Sequence, residues 1–221
     1  VDSSGNIYAV GYIFGTATHT FNAGVTAAGV YSFGNSPVIV KYNSSGVAQW
    51  ARTITTGTGA MFESVATDSS SNIYVVGTIS GTSTYTFATG ITATGTNNDS
   101  VAANPVLVKY NSSGTAQWAR TQTGGSNYTR FNGIAIDSNA NVYAVGYING
   151  GHTYTFGTGV SVTGSVQSSF QNAVIVKYNS SGTAQWARTD SGNVYGSSFN
   201  TVTVDSNGNI YAAGSLSGNF T

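Results

Sequence analysis

Cysteine is absent from all 221 residues, which excludes disulfides, thiolate nucleophiles and cysteine-based zinc sites together and leaves the redox compartment open. Charge is scarce: Asp, Glu, Lys and Arg make up 6% of the chain, seven bases against seven acids, where an ordinary soluble domain carries about a quarter. So few groups make neither a basic nucleic-acid footprint nor an acidic tail. Apolar runs last only a few residues, far short of the roughly 20 that cross a bilayer as a helix. Only two Pro are present. What remains is a chain with 29 Gly, 14 Tyr and abundant Ser, Thr and Asn, the make-up of a β-rich, turn-rich protein.

Self-similarity organises it. KYNSSGVAQWART at Lys41 returns as KYNSSGTAQWART at Lys109 and again at Lys177, in steps of 68 residues. DSSGNIYAVG from Asp2 recurs from Asp68, Asp137 and Asp205, and Phe62, Phe131 and Phe199 each stand six residues before an Asp. Period-two alternation with β-branched and aromatic residues resolves each unit into four strands. The first precedes the Asp, the second is NIYAVGYI, the third PVIVKY and the fourth AQWART. No sustained run of helix formers at 3.6 spacing competes with them.

Asx at the first position and Gly at the fourth, as in NSSG and DSSG, predicts a type I turn whose Gly takes the left-handed position. Ser71 and Ala140 stand at that position in two copies, where a Cβ is disfavoured, so those turns are expected to be looser or of another type. If Asn43 faces Val47, the register puts Val40 opposite Trp50 and Val38 opposite Arg52. On that reading Trp50, Trp118 and Trp186 are core residues. Between second and third strands lies an irregular insertion of about 20 residues, longer than common propeller blades contain. Loops of this kind are expected to share one end of the fold and form its variable surface.

The expected fold is all-β: a β-propeller of four-stranded blades about 68 residues apart, three repeats plus a quarter, open or part of a larger ring. A single array spans 1–221, with repeats at about 1–61, 62–130 and 131–198 and a partial one at 199–221. Both ends cut through a repeat, which suggests a longer parent array, with edge-to-edge assembly of copies as the alternative.

The pattern D-S-x-G-N-I-Y-x-x-G, V-x-V-K-Y-N-S-S-G and Q-W-A-R resembles the bacterial β-propeller repeat family SBBP over essentially the whole chain. The resemblance implies a disk of four-stranded blades and an extracellular or cell-surface location, and it supplies no catalytic residue. The insertion around Phe21, Phe87 and Phe156 departs from the family's pattern.

No catalytic constellation emerges. The recurring Asp (2, 68, 137, 205) has a turn role available through its own backbone, and the recurring Lys (41, 109, 177) and Arg (52, 120, 188) read as solvated heads on apolar stems. Asp205 to Asn209 is similar to the opening of a calcium loop, but calcium wants 6 to 8 oxygen ligands and each copy offers one carboxylate. His19 aligns with Tyr85 and Tyr154, His152 with Ser83, and neither has metal-ligand spacing. No acid pair suited to glycoside hydrolysis and no GxSxG elbow is visible. No catalytic residue, metal or cofactor is expected. Asn43-Ser44-Ser45 and its copies fit a glycosylation pattern that the turn alone explains.

Repeated Tyr8, Tyr74, Tyr143 and Tyr211 are expected to fill gaps between blades. Aromatics in variable segments, Tyr31, Phe33, Tyr128, Phe170 and Tyr195, are the candidate ligand contacts. The expected function is non-enzymatic: an extracellular or cell-surface structural or adhesive segment that contacts a protein partner or self-associates through exposed blade edges. The alternative is a carbohydrate-binding propeller with one weak glycan site per blade. Nucleic acid and membrane insertion are not expected.

Overall fold

The computed structural model describes residues 1–97, 103–125, 127–165, 170–191 and 196–217, and no helix occurs among them. A three-stranded sheet comes first, of β1 (Ile7–Gly15), β4 (Tyr31–Tyr42) and β5 (Ala48–Thr53), with the hairpin β2 (Thr18–Asn22) and β3 (Val25–Ala28) between its first two strands. The second sheet is a four-stranded antiparallel meander of β6 (Ala60–Thr67), β7 (Ile73–Ser80), β10 (Ala103–Tyr110) and β11 (Ala116–Thr121), with hairpin β8 (Thr84–Ala88) and β9 (Ile91–Thr94). The third repeats it with β12 (Thr129–Ile136), β13 (Val142–Asn149), β16 (Gln171–Tyr178) and β17 (Ala184–Thr189), and hairpin β14 (Thr153–Gly157) and β15 (Val160–Thr163). A pair, β18 (Ser197–Val204) and β19 (Ile210–Leu216), follows.

The sheets stack face to face as propeller blades do, in an open series. β6 packs on β1 and β4, β12 on β6, β7 and β10, and β18 on β12, β13 and β16. Strand alternation sends Val75 and Ile79 into the core shared with Ile39, and Tyr74 and Val76 into the core shared with Phe131, Val142 and Tyr178. Central strands are therefore buried on both faces, which is why IYVVGTI reads as a nearly continuous apolar run. Each first strand bulges after its Phe, at Phe62, Phe131 and Phe199. The bulge crowds the facing Gly: a Cβ on Gly77 would lie 2.0 Å from the Met61 carbonyl oxygen. The same closeness, 1.9 Å at Gly146 and 1.8 Å at Gly214, explains the Gly in the three second strands that pair with a first strand.

Three expectations are corrected. The turns at Ser71 and Ala140 are as tight as the others: both residues take the left-handed conformation, at φ 60° and 59°, and Ser71 N–H and Ala140 N–H donate to Asp68 O and Asp137 O at 3.0 and 2.9 Å. The Asp side chain holds the turn regardless of the fourth residue. Its Oδ1 accepts two backbone N–H groups, and its Oδ2 accepts the Asn amide and the Tyr hydroxyl that follow, as at Asn72 and Tyr74. The hairpin register also differs, because Gln49 is accommodated in a bulge between Lys41/Tyr42 and Trp50/Ala48. Lys41 faces Trp50 and Ile39 faces Arg52, with the same shift at Trp118 and Trp186. Consequently the three tryptophans are half-buried on outer strands rather than core residues. Finally, the insertions are not irregular throughout; they form the hairpins, whose Tyr85, Phe87, Tyr154 and Phe156 are buried. Each of the later two hairpins ties down the connection arriving from the preceding sheet, through Thr55 N–H to Thr86 O and Thr123 N–H to Thr155 O.

Candidate functional site

The variable aromatics lie at successive blade junctions and are not gathered into one site. Tyr31 and Phe33, from the start of β4, meet Phe14 from β1 in a cleft of about 360 Å³ against Thr58–Met61, Thr78 and Ser80 of the next sheet. Phe33 is 83% exposed. At the last junction Phe170, 48% exposed, lines a similar cleft of about 230 Å³ with Gln171, Gly196, Ser197, Ser215 and Ser217. Tyr128 occupies the corresponding place at the middle junction, aligned with Gly59 and Gly196. There its ring stacks on Tyr147, centroids 6.0 Å apart and planes 4° from parallel, so two tyrosines fill the position that is a cleft on either side. Tyr195 lies outside the described residues. Burial, followed by the neighbouring Tyr128, pushes the Tyr147 hydroxyl up to about 12 against the opposing pull of Arg130. Arg130 is ion-paired with Glu63 across the two first strands; burial works against its charge, and Glu63 more than offsets that.

The recurring Asp carboxylates are engaged in the scaffold. Burial opposes ionisation of Asp2, yet hydrogen bonds from Asn6, Tyr8 and the Ser4 amide bring its carboxyl down to about 2. Asp137 is lowered in the same way, burial again being outweighed by Asn141, Tyr143 and the Asn139 amide. Because these carboxylate oxygens already accept N–H and O–H donors, the motif is a turn clamp. Among the described residues no group of three or more His, Cys, Asp and Glu side chains comes together.

What the sequence reading misassigned is the recurring Lys, Trp and Arg. Arg52 Nε and Nη2 donate to the carbonyls of Gly114 and Ser113, at 3.0 and 3.1 Å, and Trp50 Nε1 donates to Ser112 O at 3.3 Å. These acceptors belong to the Asn-Ser-Ser-Gly turn of the next sheet. Arg120 repeats the contact on Gly182 and Ser181, at 2.8 and 3.1 Å. The guanidinium lies 5.3 Å over Trp50 in the first copy and 5.1 Å over Trp118 in the second. Lys109 Nζ sits 5.0 Å over the Tyr74 ring and reaches Ser180 O at 3.4 Å. A Cβ on Gly114 or Gly182 would come within 2.9 or 3.0 Å of the Trp50 or Trp118 ring. The Lys-Trp-Arg set and the Asn-Ser-Ser-Gly turn of each repeat are thus a latch and its keeper on successive blades. Strict co-recurrence of K, W and R with NSSG was the available signal.

The sequence of residues 117–152 matches the β-propeller repeat model of the SBBP family. The repeat at residues 117–152 is thus similar to the SBBP β-propeller repeat, and the chain's other repeats share its motifs. The matched stretch runs from the Trp118–Arg120 latch through the first two strands of the third blade, the part that crosses from one blade to the next. An uncharacterized WD repeat-containing protein of Acanthamoeba polyphaga mimivirus is 33% identical over 114 residues, which is 52% of this chain and 8% of that protein. The chain therefore spans a small part of the length of that relative. Chemically, the described blades offer aromatic clefts edged by hydroxyls and carboxamides.

Proposed function

We propose that this β-propeller repeat array is a non-catalytic interaction scaffold that binds protein partners through the aromatic clefts at its blade junctions, outside the cell or at its surface. The observation that carries the reading is the change of aromatic occupant between junctions that are otherwise built alike: Phe14, Tyr31 and Phe33 at one, a stacked Tyr128–Tyr147 pair at the next, Phe170 at the third. A constant scaffold with variable exposed aromatics is the usual arrangement of a recognition surface. The scarcity of charge fits apolar and hydrogen-bonding contacts over electrostatic steering.

The test is selection of a displayed peptide library on the immobilised chain, followed by titration of enriched peptides against a Phe14→Ser/Phe33→Ser variant. Binding that falls at least tenfold in a folded variant supports the reading. Peptides indifferent to the variant refute it, binding confined to a glycan panel moves the function to carbohydrate recognition, and turnover of ester, phosphate or glycoside substrates overturns the non-catalytic assignment.

A further inference from the structure

At the latch end of the junction between the second and third sheets lies a polar cleft of about 360 Å³. Asn72 from the first turn of the second sheet, Lys109, Gln117 and Trp118 from its last two strands, and Ser180 and Ser181 from the turn of the third sheet line it. Both walls belong to complete four-stranded sheets.

The scaffold uses only part of this set. A type I turn accepts most residues at its two central positions, yet both are Ser in all three Asn-Ser-Ser-Gly copies. Neither hydroxyl has a structural role here: Ser180 enters the described hydrogen bonds only through its carbonyl, from Lys109, and Ser181 only through its backbone, to Asn179 and from Arg120. Gln117 spends its Nε2 on Thr115 O at 3.0 Å, which leaves Oε1 open to the cleft. Its counterparts Gln49 and Gln185 are kept, while the residue two places before changes from Val47 to Thr115 and Thr183. Asn72 Nδ2 is held by Asp68, which leaves its Oδ1. Lys109 has no carboxylate partner, since the one ion pair among the described residues joins Arg130 to Glu63, and its contact with Ser180 O is long, at 3.4 Å.

We propose that this cleft binds a uronate unit of an acidic polysaccharide, with the sugar carboxylate on Lys109 Nζ and the ring hydroxyls on Gln117, Asn72, Ser180 and Ser181. The unpaired ammonium asks for one negative charge and forms its strongest bonds with a carboxylate. Two carboxamide oxygens accept without donating, so they favour a ligand that brings O–H groups over a bare inorganic anion. Serine hydroxyls give and take, which suits a polyol. The volume is at the small end of ligand sites. The preceding junction carries the same residue types, with Lys41 Nζ 3.5 Å and Trp50 Nε1 3.3 Å from Ser112 O and Gln49 beside them in sequence. Two like sites on one chain let a polymer gain by avidity what each unit lacks in affinity. The site is at the opposite end of the sheets from the aromatic clefts and does not rest on their binding a protein.

Titration of the whole chain with trigalacturonate, and with its uncharged counterpart galactotriose, tests it through the indole N–H resonances of the tryptophans. Trigalacturonate should shift the Trp50 and Trp118 signals with a Kd of about 0.1 to 1 mM, at least tenfold tighter than galactotriose. Gln117→Ala/Ser181→Ala, which touches no bond of the latch and should melt like wild type, should abolish the Trp118 shift and keep that of Trp50. Lys109→Gln should weaken the Trp118 response at least tenfold. Silence of both signals at about 10 mM trigalacturonate, equal binding of galactotriose, or a Trp118 shift unchanged in Gln117→Ala/Ser181→Ala overturns the proposal. Acetate that competes at equal concentration also overturns it, since the cleft would then be a lone ammonium rather than a sugar site. Saccharide binding lost instead in Phe14→Ser/Phe33→Ser would overturn it by moving the sugar to the aromatic clefts.

Discussion

Arg120 and Arg188 are the same residue of the same motif in different company, and replacing each by Ala separates the latch from everything else the side chain does. Arg120→Ala removes two bonds to the carbonyls of Gly182 and Ser181 on the next blade, one to its neighbour Ala119 O, and the stacking on Trp118. A hydrogen bond from a charged group contributes about 1.5 to 3 kcal/mol when buried, and partial exposure brings each inter-blade bond nearer about 1 kcal/mol. Stacking adds about 0.5 kcal/mol, for a total loss of about 2 to 3 kcal/mol. Arg188→Ala loses only the bond to Ala187 O and a looser stack at 5.7 Å over Trp186, less than about 1 kcal/mol at an exposed site. Urea unfolding followed by tryptophan fluorescence, at concentrations where the chain is monomeric, reads the difference. With a slope of about 2 kcal/mol per molar, Arg120→Ala should move the midpoint down by roughly 1 M, with little movement for Arg188→Ala. Equal losses in the two variants would refute the assignment of the arginines to blade-to-blade contact.

Other outcomes follow from the same geometry. Gly114→Ala and Gly46→Ala both place a Cβ at φ +77°, costing about 1 kcal/mol each, but Gly114→Ala also drives the Cβ against the Trp50 ring and should cost about 1 to 2 kcal/mol more in matched denaturation curves. The Tyr178 hydroxyl is buried with no hydrogen-bond partner among the described residues, so Tyr178→Phe should leave stability unchanged or raise it by up to about 1 kcal/mol. In contrast, Tyr85→Phe gives up bonds to Gly59 O at 2.8 Å and from Ser80 N–H at 3.0 Å and should lose about 1 to 2 kcal/mol. Asp2 and Asp137 ionise more readily folded than unfolded. Their stabilisation is complete above the ordinary carboxyl value of 3.8 and is lost as pH falls through the folded value, about 2 for Asp2. Thermal midpoints measured from pH 5 to pH 2 should decline mainly below pH 4, and less steeply in Asp137→Asn.

The blade was legible because each of its strands announces itself locally. Alternation, an Asx-x-x-Gly turn and a fixed period place β7, β10 and β11 before any contact is known, and the Asp turn was read correctly as a cap. Register was legible only in part: the bulge at Gln49 is one residue in a strand whose pattern reads equally well without it, and it alone moves Trp50 from opposite Val40 to opposite Lys41. A large apolar ring at a regular strand position usually belongs to the core, which is what the tryptophans suggest on their own. Their actual role depends on a turn whose Ser112 carbonyl lies 62 residues beyond Trp50, a distance at which strand-by-strand reading carries no signal. Ser71 and Ala140 mislead for the opposite reason, since local propensity takes no account of the four donors that hold the Asp68 and Asp137 side chains in place.

The latch also accounts for how variable surfaces coexist with a constant scaffold. Arg52 and Arg120 read backbone carbonyls of the next turn, and backbone carbonyls are present whatever side chains follow. Their register is secured by a Gly that admits the tryptophan ring and by an Asn whose Oδ1 accepts two turn N–H groups, as Asn111 does from Ser113 and Thr115. The latch thereby acts at the third-to-fourth strand turn, at one end of the sheet. The Phe14, Tyr128 and Phe170 positions, at the other end of the second and third strands, take no part in the latch. A substitution such as Phe33→Ser should then alter binding at its cleft while leaving the unfolding midpoint within about 0.5 kcal/mol of wild type, the usual range for a surface change. A larger loss would mean that the cleft helps hold the blades together and that scaffold and recognition surface are not separate.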